Sequence, residues 1–147
     1  MRTSFEKAFK ITVGLEGKPT DDPNDPGGFT IWGLSSRYNP GVTKDTTLEQ
    51  AKDLYLFKYW IPAGCDEAVF PMDICLFDSQ VNPQNDPKLP GGGNQEIMNL
   101  GPENWQDYNI LRMQRYMRCS KDIYVKGHIF RVLNLSSQIK DIQSGKG

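Results

Sequence analysis

Residues 16–33 read EGKPTDDPNDPGGFTIWG, a single acid followed by a run of turn formers and a short apolar ending. Upstream, Phe5, Ala8, Phe9, Thr12, Val13 and Glu16 recur at helical spacing, so the stripe of a first helix ends on an acid. Thr3 and Glu6 have the form of a capping box, which places the helix start at Thr3. At about 100° per residue, Glu16 falls within about 20° of Phe5 on the helical wheel. Its carboxyl is therefore expected on the core-packing face, in the last helical turn, with Gly17 ending the helix. Residues 18–28 contain Pro19, Pro23, Pro26, Gly27 and Gly28, which exclude helix and favour stiff consecutive turns. Residues 29–34, FTIWGL, form a short β-type segment, expected to pair with a second half near residues 18–21.

An acid on an apolar face near a helix C-terminus is disfavoured in its charged form, by lost hydration and by the negative end of the backbone dipole. A carboxyl still protonated near neutral pH can protonate the oxygen leaving a glycosidic bond. A rim glutamate bending out to water is the plain alternative. Asp25 and then Thr30 follow Glu16, and acid and hydroxyl can converge on one cleft. A second carboxylate would balance cationic character at the sugar carbon, and the threonine hydroxyl could hold a water beneath the ring.

At 147 residues and 37% hydrophobic content the chain fits one domain, residues 1–147, burying about two thirds of its unfolded surface. No apolar run approaches the roughly 20 residues of a membrane span. The opening MRTSFEKAF lacks the apolar block of a signal peptide, so synthesis in the cytoplasm is expected. The net charge of −1 is spread without a basic block, which argues against nucleic acid as a partner. Cys65, Cys75 and Cys119 lack metal-ligand or redox spacing and read as packed, reduced thiols. In DDPNDPGG, Pro23 and Pro26 interrupt the alternation a calcium loop needs, so neither metal nor cofactor is expected.

Further along, Thr47 and Gln50 form a second capping box ahead of Leu48, Ala51, Leu54 and Tyr55, in a helix ending before Pro62. Residues 71–82, PMDICLFDSQVN, read as a buried helix carrying Asp78 and Asn82 one turn apart. Residues 83–104 are rich in Pro, Gly and Asn and read as an irregular surface loop. A helix over 105–118 follows, capped by Asn104, and a last one from about His128 to Ile142 with Ile129, Val132, Ser136, Ile139 and Ile142 on one side. The fold class is mainly α with a small β component: a helical domain with a hairpin after its first helix. Trp32, Tyr59 and Trp60 offer apolar rings for stacking on sugar faces, and core packing accounts for each equally well. His128 sits in no nucleophilic motif and reads as a packed or rim histidine.

EG at 16–17, DPNDPGGFTIWGLS at 22–35, KYW at 58–60, FDSQVN at 77–82 and YVKGHIFRV at 124–132 together resemble glycoside hydrolase family 108, N-acetylmuramidases found mainly in phages and prophages. The spacing of Glu16, Asp25 and Thr30 is also similar to the glutamate, aspartate and threonine triad of the T-even phage lysozymes, which implies a lysozyme-like fold. The family usually has glycine and tyrosine where this chain has Lys18 and Pro19, and tryptophan where it has His128. The resemblance implies that Asp78 and Asn82 lie near the cleft floor, Asn82 as a sugar contact and Asp78 as a structural group.

The expected function is hydrolysis of the bond between N-acetylmuramic acid and N-acetylglucosamine, with Glu16 as general acid and Asp25 and Thr30 assisting. The partner is bacterial peptidoglycan, and the chain is expected to be a monomer. It is expected to reach the wall through a membrane pore such as a holin, or with the structural proteins of a phage particle. Rival readings are a non-catalytic wall-recognition component of a phage tail or secretion device, and a lytic transglycosylase.

Overall fold

The computed structural model describes residues 2–14, 19, 21, 28–84, 86–89, 99–100 and 102–146. The first helix, α1 (Phe5–Thr12), follows a 3-10 turn at Arg2–Ser4. Thr3 is already inside that turn, so the expected capping box does not form, and Ser4 stands at the N-cap without a side-chain bond. The buried face is the expected one, with Phe5, Ala8, Phe9 and Thr12. The end of the helix differs from expectation. The N–H groups of Val13 and Gly14 both bond the carbonyl of Phe9, at 2.8 and 3.3 Å, and Gly14 takes φ 75°. A glycine in the left-handed region stops α1 there, ahead of Gly17, and the last-turn position expected for Glu16 lies outside the described residues.

The hairpin folds within FTIWGLS itself. Strand β1 (Thr30–Ile31) pairs antiparallel with β2 (Leu34–Ser35), Thr30 opposite Ser35 and Ile31 opposite Leu34. Trp32 at φ 54° and Gly33 at φ 73° supply the two positive φ angles of a two-residue turn whose twist matches the strands. Among the described residues, β1 pairs with β2 and not, as expected, with residues near 18–21. A tryptophan in the left-handed region is strained, and tertiary bonds hold it there. Its Nε1 donates to the carbonyl of Thr46 at 2.9 Å, and its own carbonyl accepts from the Tyr55 hydroxyl at 3.0 Å.

Helix α2 (Leu48–Tyr55) begins with the expected capping box: Gln50 N–H donates to Thr47 Oγ1 at 3.2 Å, and Thr47 N–H to Gln50 Oε1 at 2.9 Å. It runs on into a π-helical turn at Leu56–Trp60. Trp60 there is fully buried, its ring 5.4 Å from Phe5 and 5.7 Å from Phe77. That burial removes Trp60 from the expected sugar-stacking residues, because neither ring face reaches solvent. Helix α3 (Met72–Val81) is the expected buried helix, with every residue from Met72 to Ser79 inside. It is central, packing against both α1 and the next helix.

Helix α4 (Trp105–Cys119) follows a 3-10 turn at Pro102–Asn104, and α5 (Asp122–Gln143) packs along it. The start of α5 lies well before His128, because packing on α4 carries the helix through Gly127 despite that residue's low propensity. Val132, Leu135 and Ile139 form its buried seam. The beginning of segment 83–104, expected at the surface, turns inward. Gln84 donates to Ser79 Oγ at 3.1 Å, and buried Asp86 accepts from Arg118 at 2.8 Å. No helix among the described residues is long and apolar enough to cross a membrane.

Two consequences are measurable. A methyl group at Gly33 would sit 2.7 Å from the Tyr55 hydroxyl, on a backbone at φ 73°. Gly33→Ala is expected to cost about 1–3 kcal/mol in urea unfolding, while Gly41→Ala, which meets open space, stays within about 0.5 kcal/mol. Equal effects would show that the turn tolerates a side chain. The second concerns Asp66, whose carboxyl is held down to about 2, first by the Arg2 guanidinium and then by the Trp60 indole N–H. Its stabilising contribution is full above the ordinary carboxyl value of 3.8 and fades as pH falls toward 2. The melting-temperature gap between wild type and Asp66→Asn is expected to be constant above pH 5 and to shrink below pH 3.8. A gap that widens on acidification would reverse the sign.

Candidate active site

The end of α1 is fastened from two directions. Thr12 Oγ1 donates to Asp78 Oδ1 at 2.7 Å, tying α1 to α3. The Thr12 carbonyl, left unpaired at the helix terminus, accepts from Arg131 Nη1 of α5 at 3.0 Å. Beside these two ties lies the hairpin turn: a methyl group placed on Gly33 would come within 4.0 Å of Val13 Cγ1. The segment carrying Glu16 and Asp25 therefore leaves α1 beside the turn of the hairpin that carries Thr30.

Behind this end lies a buried polar chain. Asp78 Oδ2 accepts from Arg112 Nη2 at 2.7 Å, and both side chains are essentially without solvent. Arg112 also donates to the Tyr116 hydroxyl at 3.0 Å, and Tyr116 donates onward to the main-chain carbonyl of Asn82. The Asn82 amide returns to the carbonyl of Asp78 at 3.3 Å. Burial alone would lower the pKa of Arg112, but Asp78, Tyr116 and Tyr108 outweigh it and raise the group, so the guanidinium stays charged. Two unit charges out of water are costly, and their mutual attraction with added hydrogen bonds offsets that cost only in a fixed geometry. The pair thus acts as a geometric lock between α1, α3 and α4.

A second chain runs through Tyr55. Its phenol is pushed up by burial and by Tyr59, and stays a donor to the Trp32 carbonyl. The ring of Tyr55 stands 5.5 Å from that of Tyr59, which is half-buried with Lys58 Nζ 5.4 Å over it. Trp32 and Tyr59 are thus joined through Tyr55 and both keep partial exposure, unlike Trp60. Thr30 is half-buried on β1, its hydroxyl only loosely held by the carbonyl of Gly28 at 3.5 Å. Asn82 is half-buried, and Asp78 is buried in its pair with Arg112. Glu16 and Asp25 lie outside the described residues.

His128 is packed, its ring 4.6 Å from Tyr116 and its Nδ1 2.8 Å from Ser120 Oγ. Burial, then Arg131 and Arg112, lower its pKa, so the neutral ring is favoured. Burial pushes the thiols of Cys65 and Cys75 up to about 12, which makes them inert, and all three cysteines are unbridged. Among the described residues no cluster of His, Cys, Asp or Glu has the makings of a metal centre. From the sequence, Thr12 and Tyr55 read only as core-face helix positions, and Arg112, Tyr116 and Arg131 give no signal at all. Arg131 sits inside YVKGHIFRV, but nothing local names its partner at the far end of the chain.

A mainly helical fold with a hairpin beside the end of its first helix is the frame in which one comparison is decisive. The family model for glycosyl hydrolase 108 matches residues 9–83, half of the chain, from the second turn of α1 to just past α3. The chain belongs to glycosyl hydrolase family 108. The matched span contains Thr12, the hairpin, Tyr55, Tyr59, Asp78 and Asn82, and this glycoside hydrolase supplies Arg112, Tyr116 and Arg131 from beyond it. No curated protein and no solved structure matches the chain.

Asp78→Ala leaves the Arg112 cation buried without its partner, and is expected to destabilise by about 3–5 kcal/mol. Adding Arg112→Met removes the orphaned charge, so the double variant is expected to be more stable than Asp78→Ala alone in denaturant unfolding. A double variant less stable than either single one would mean that the pair is not a coupled unit.

Proposed function

We propose that this family 108 enzyme hydrolyses the bond between N-acetylmuramic acid and N-acetylglucosamine in peptidoglycan, with Glu16 as general acid. The observation that carries this reading is the junction of α1 and the hairpin. The chain leaves α1 at Gly14, two residues before Glu16, where Val13 meets the hairpin turn, and returns at Gly28, two residues before Thr30. A segment anchored at both ends beside one hairpin suits a site assembled from Glu16, Asp25 and Thr30.

In this mechanism Glu16 protonates the glycosidic oxygen as the bond breaks, and Asp25 balances positive charge growing at the muramic C1. Thr30, whose hydroxyl is only loosely engaged, orients the attacking water. A threonine hydroxyl without a strong base is a poor nucleophile, which favours direct attack by water and inversion at C1. Trp32, Tyr59 and Asn82 serve the sugar, while Asp78 holds the frame. The setting that fits the resemblance is lysis of a bacterial wall by a phage or prophage product acting as a monomer.

Glu16→Gln is nearly isosteric and is expected to keep the melting temperature while turnover of purified peptidoglycan falls by about 10² or more. NMR of the first sugar released by wild type is expected to show the α-anomer. Retained turnover in Glu16→Gln would remove the general-acid role, and prompt β-anomer would replace inversion by a retaining route.

A further inference from the structure

A groove of about 670 Å³ lies between the outer side of α2 and residues 38–46. On the helix side it is lined by Gln50, Asp53, Leu54 and Phe57, spaced along one helical face, while Ala51 and Tyr55 face the core. It shares no residue with the site built around Thr30, Trp32, Tyr59, Asp78 and Asn82. Its volume lies within the range of about 300–1,000 Å³ typical of ligand clefts.

The walls are built in advance. Lys58 Nζ donates to Asn39 Oδ1 at 2.9 Å, joining helix and loop across the groove. Asn39 Nδ2 donates to the carbonyl of Ser35 at 2.9 Å, and Thr43 N–H to Thr46 Oγ1 at 2.9 Å. Into this frame project two large aromatic side chains that folding leaves in water, Tyr38 at 68% and Phe57 at 67% exposure. Asp45 and Asp53 line the same groove and are exposed.

We infer that this groove is a second glycan site, separate from the cleavage centre, taking a stretch of N-acetylated sugar strand. The choice of sugar rests on the wall-hydrolase reading above. The combination of groups selects the ligand class. A wholly apolar ligand would strip water from two carboxylates without replacing it, and for a phosphate-bearing one those two charges outweigh the single Lys58 ammonium. A pyranose presents apolar C–H faces to aromatic rings and hydroxyl or acetamido donors at its rim. Tyr38 and Phe57 supply the first contact, Asp45 and Asp53 the second. Such a site holds the enzyme on the strand while the hairpin side acts.

The test uses the full chain, the double variant Tyr38→Ala/Phe57→Ala and two probes, N-acetylchitotetraose and purified sacculi. Both aromatics are exposed, so the variant is expected to keep its melting temperature and its turnover of soluble, peptide-free glycan. Its co-sedimentation with sacculi is expected to weaken by about tenfold or more. In NMR titrations of wild type, N-acetylchitotetraose is expected to shift amides in residues 38–46 and 50–58. Unchanged sacculus binding by the double variant, or shifts there with free stem peptide and none with the sugar, would overturn the inference. If wall turnover persists while the variant binds as wild type does, the groove fails and the proposed function stands. If groove-dependent binding is seen without any release of sugar ends, the function fails and the groove stands.

Discussion

Asp78 is the constraint on which the rest of the molecule depends. Its two oxygens, shut away from water, accept from Thr12 at the end of α1 and from Arg112 on α4. A buried carboxylate permits little displacement, because any shift of either partner leaves a charge or a hydroxyl unpaired in a low-dielectric interior. That intolerance defines where α1 ends relative to α3. The place where α1 ends is also where the chain sets out toward Glu16.

Tyr55 does for the hairpin what Asp78 does for the helices. Its hydroxyl bonds the carbonyl of Trp32 and leaves no room for a side chain at Gly33, while its ring packs on Phe9 and Phe77. A strained tryptophan at the tip of a two-residue turn is thereby secured to the aromatic core. The hairpin turn lies near Val13, and Arg131 from α5 closes the helix terminus at the Thr12 carbonyl. The C-terminal helices, beyond the span that matches the family, thus complete the frame from behind.

Helix identities and the Thr47 cap were legible because they rest on local periodicity and neighbouring hydrogen bonds. Family membership was legible in EG, DPNDPGGFTIWGLS and FDSQVN, because each is a short contiguous motif. The boundary of α1 was not: Gly14 and Gly17 are both able to stop a helix, and the choice is made by tertiary ties at Thr12 and Val13. The hairpin register was misjudged because WG is an unusual turn pair, tryptophan seldom taking a positive φ. Trp60 could have served substrate or core, and only the π-helical turn that aims it inward decides. Arg112 and Arg131 were silent, since a charged residue on a helix gives no sign of a partner many residues away.

With a family 108 domain whose helix end and hairpin are locked together, the central claim is that the segment between them cuts the glycan strand by hydrolysis. Mass spectrometry of muropeptides from purified peptidoglycan, digested by wild type and by Glu16→Gln in parallel, tests it most directly. The expected result is fragments ending in reducing N-acetylmuramic acid from wild type and almost none from Glu16→Gln. Anhydro-muramic ends, reducing N-acetylglucosamine ends, or equal digestion by both proteins would contradict it.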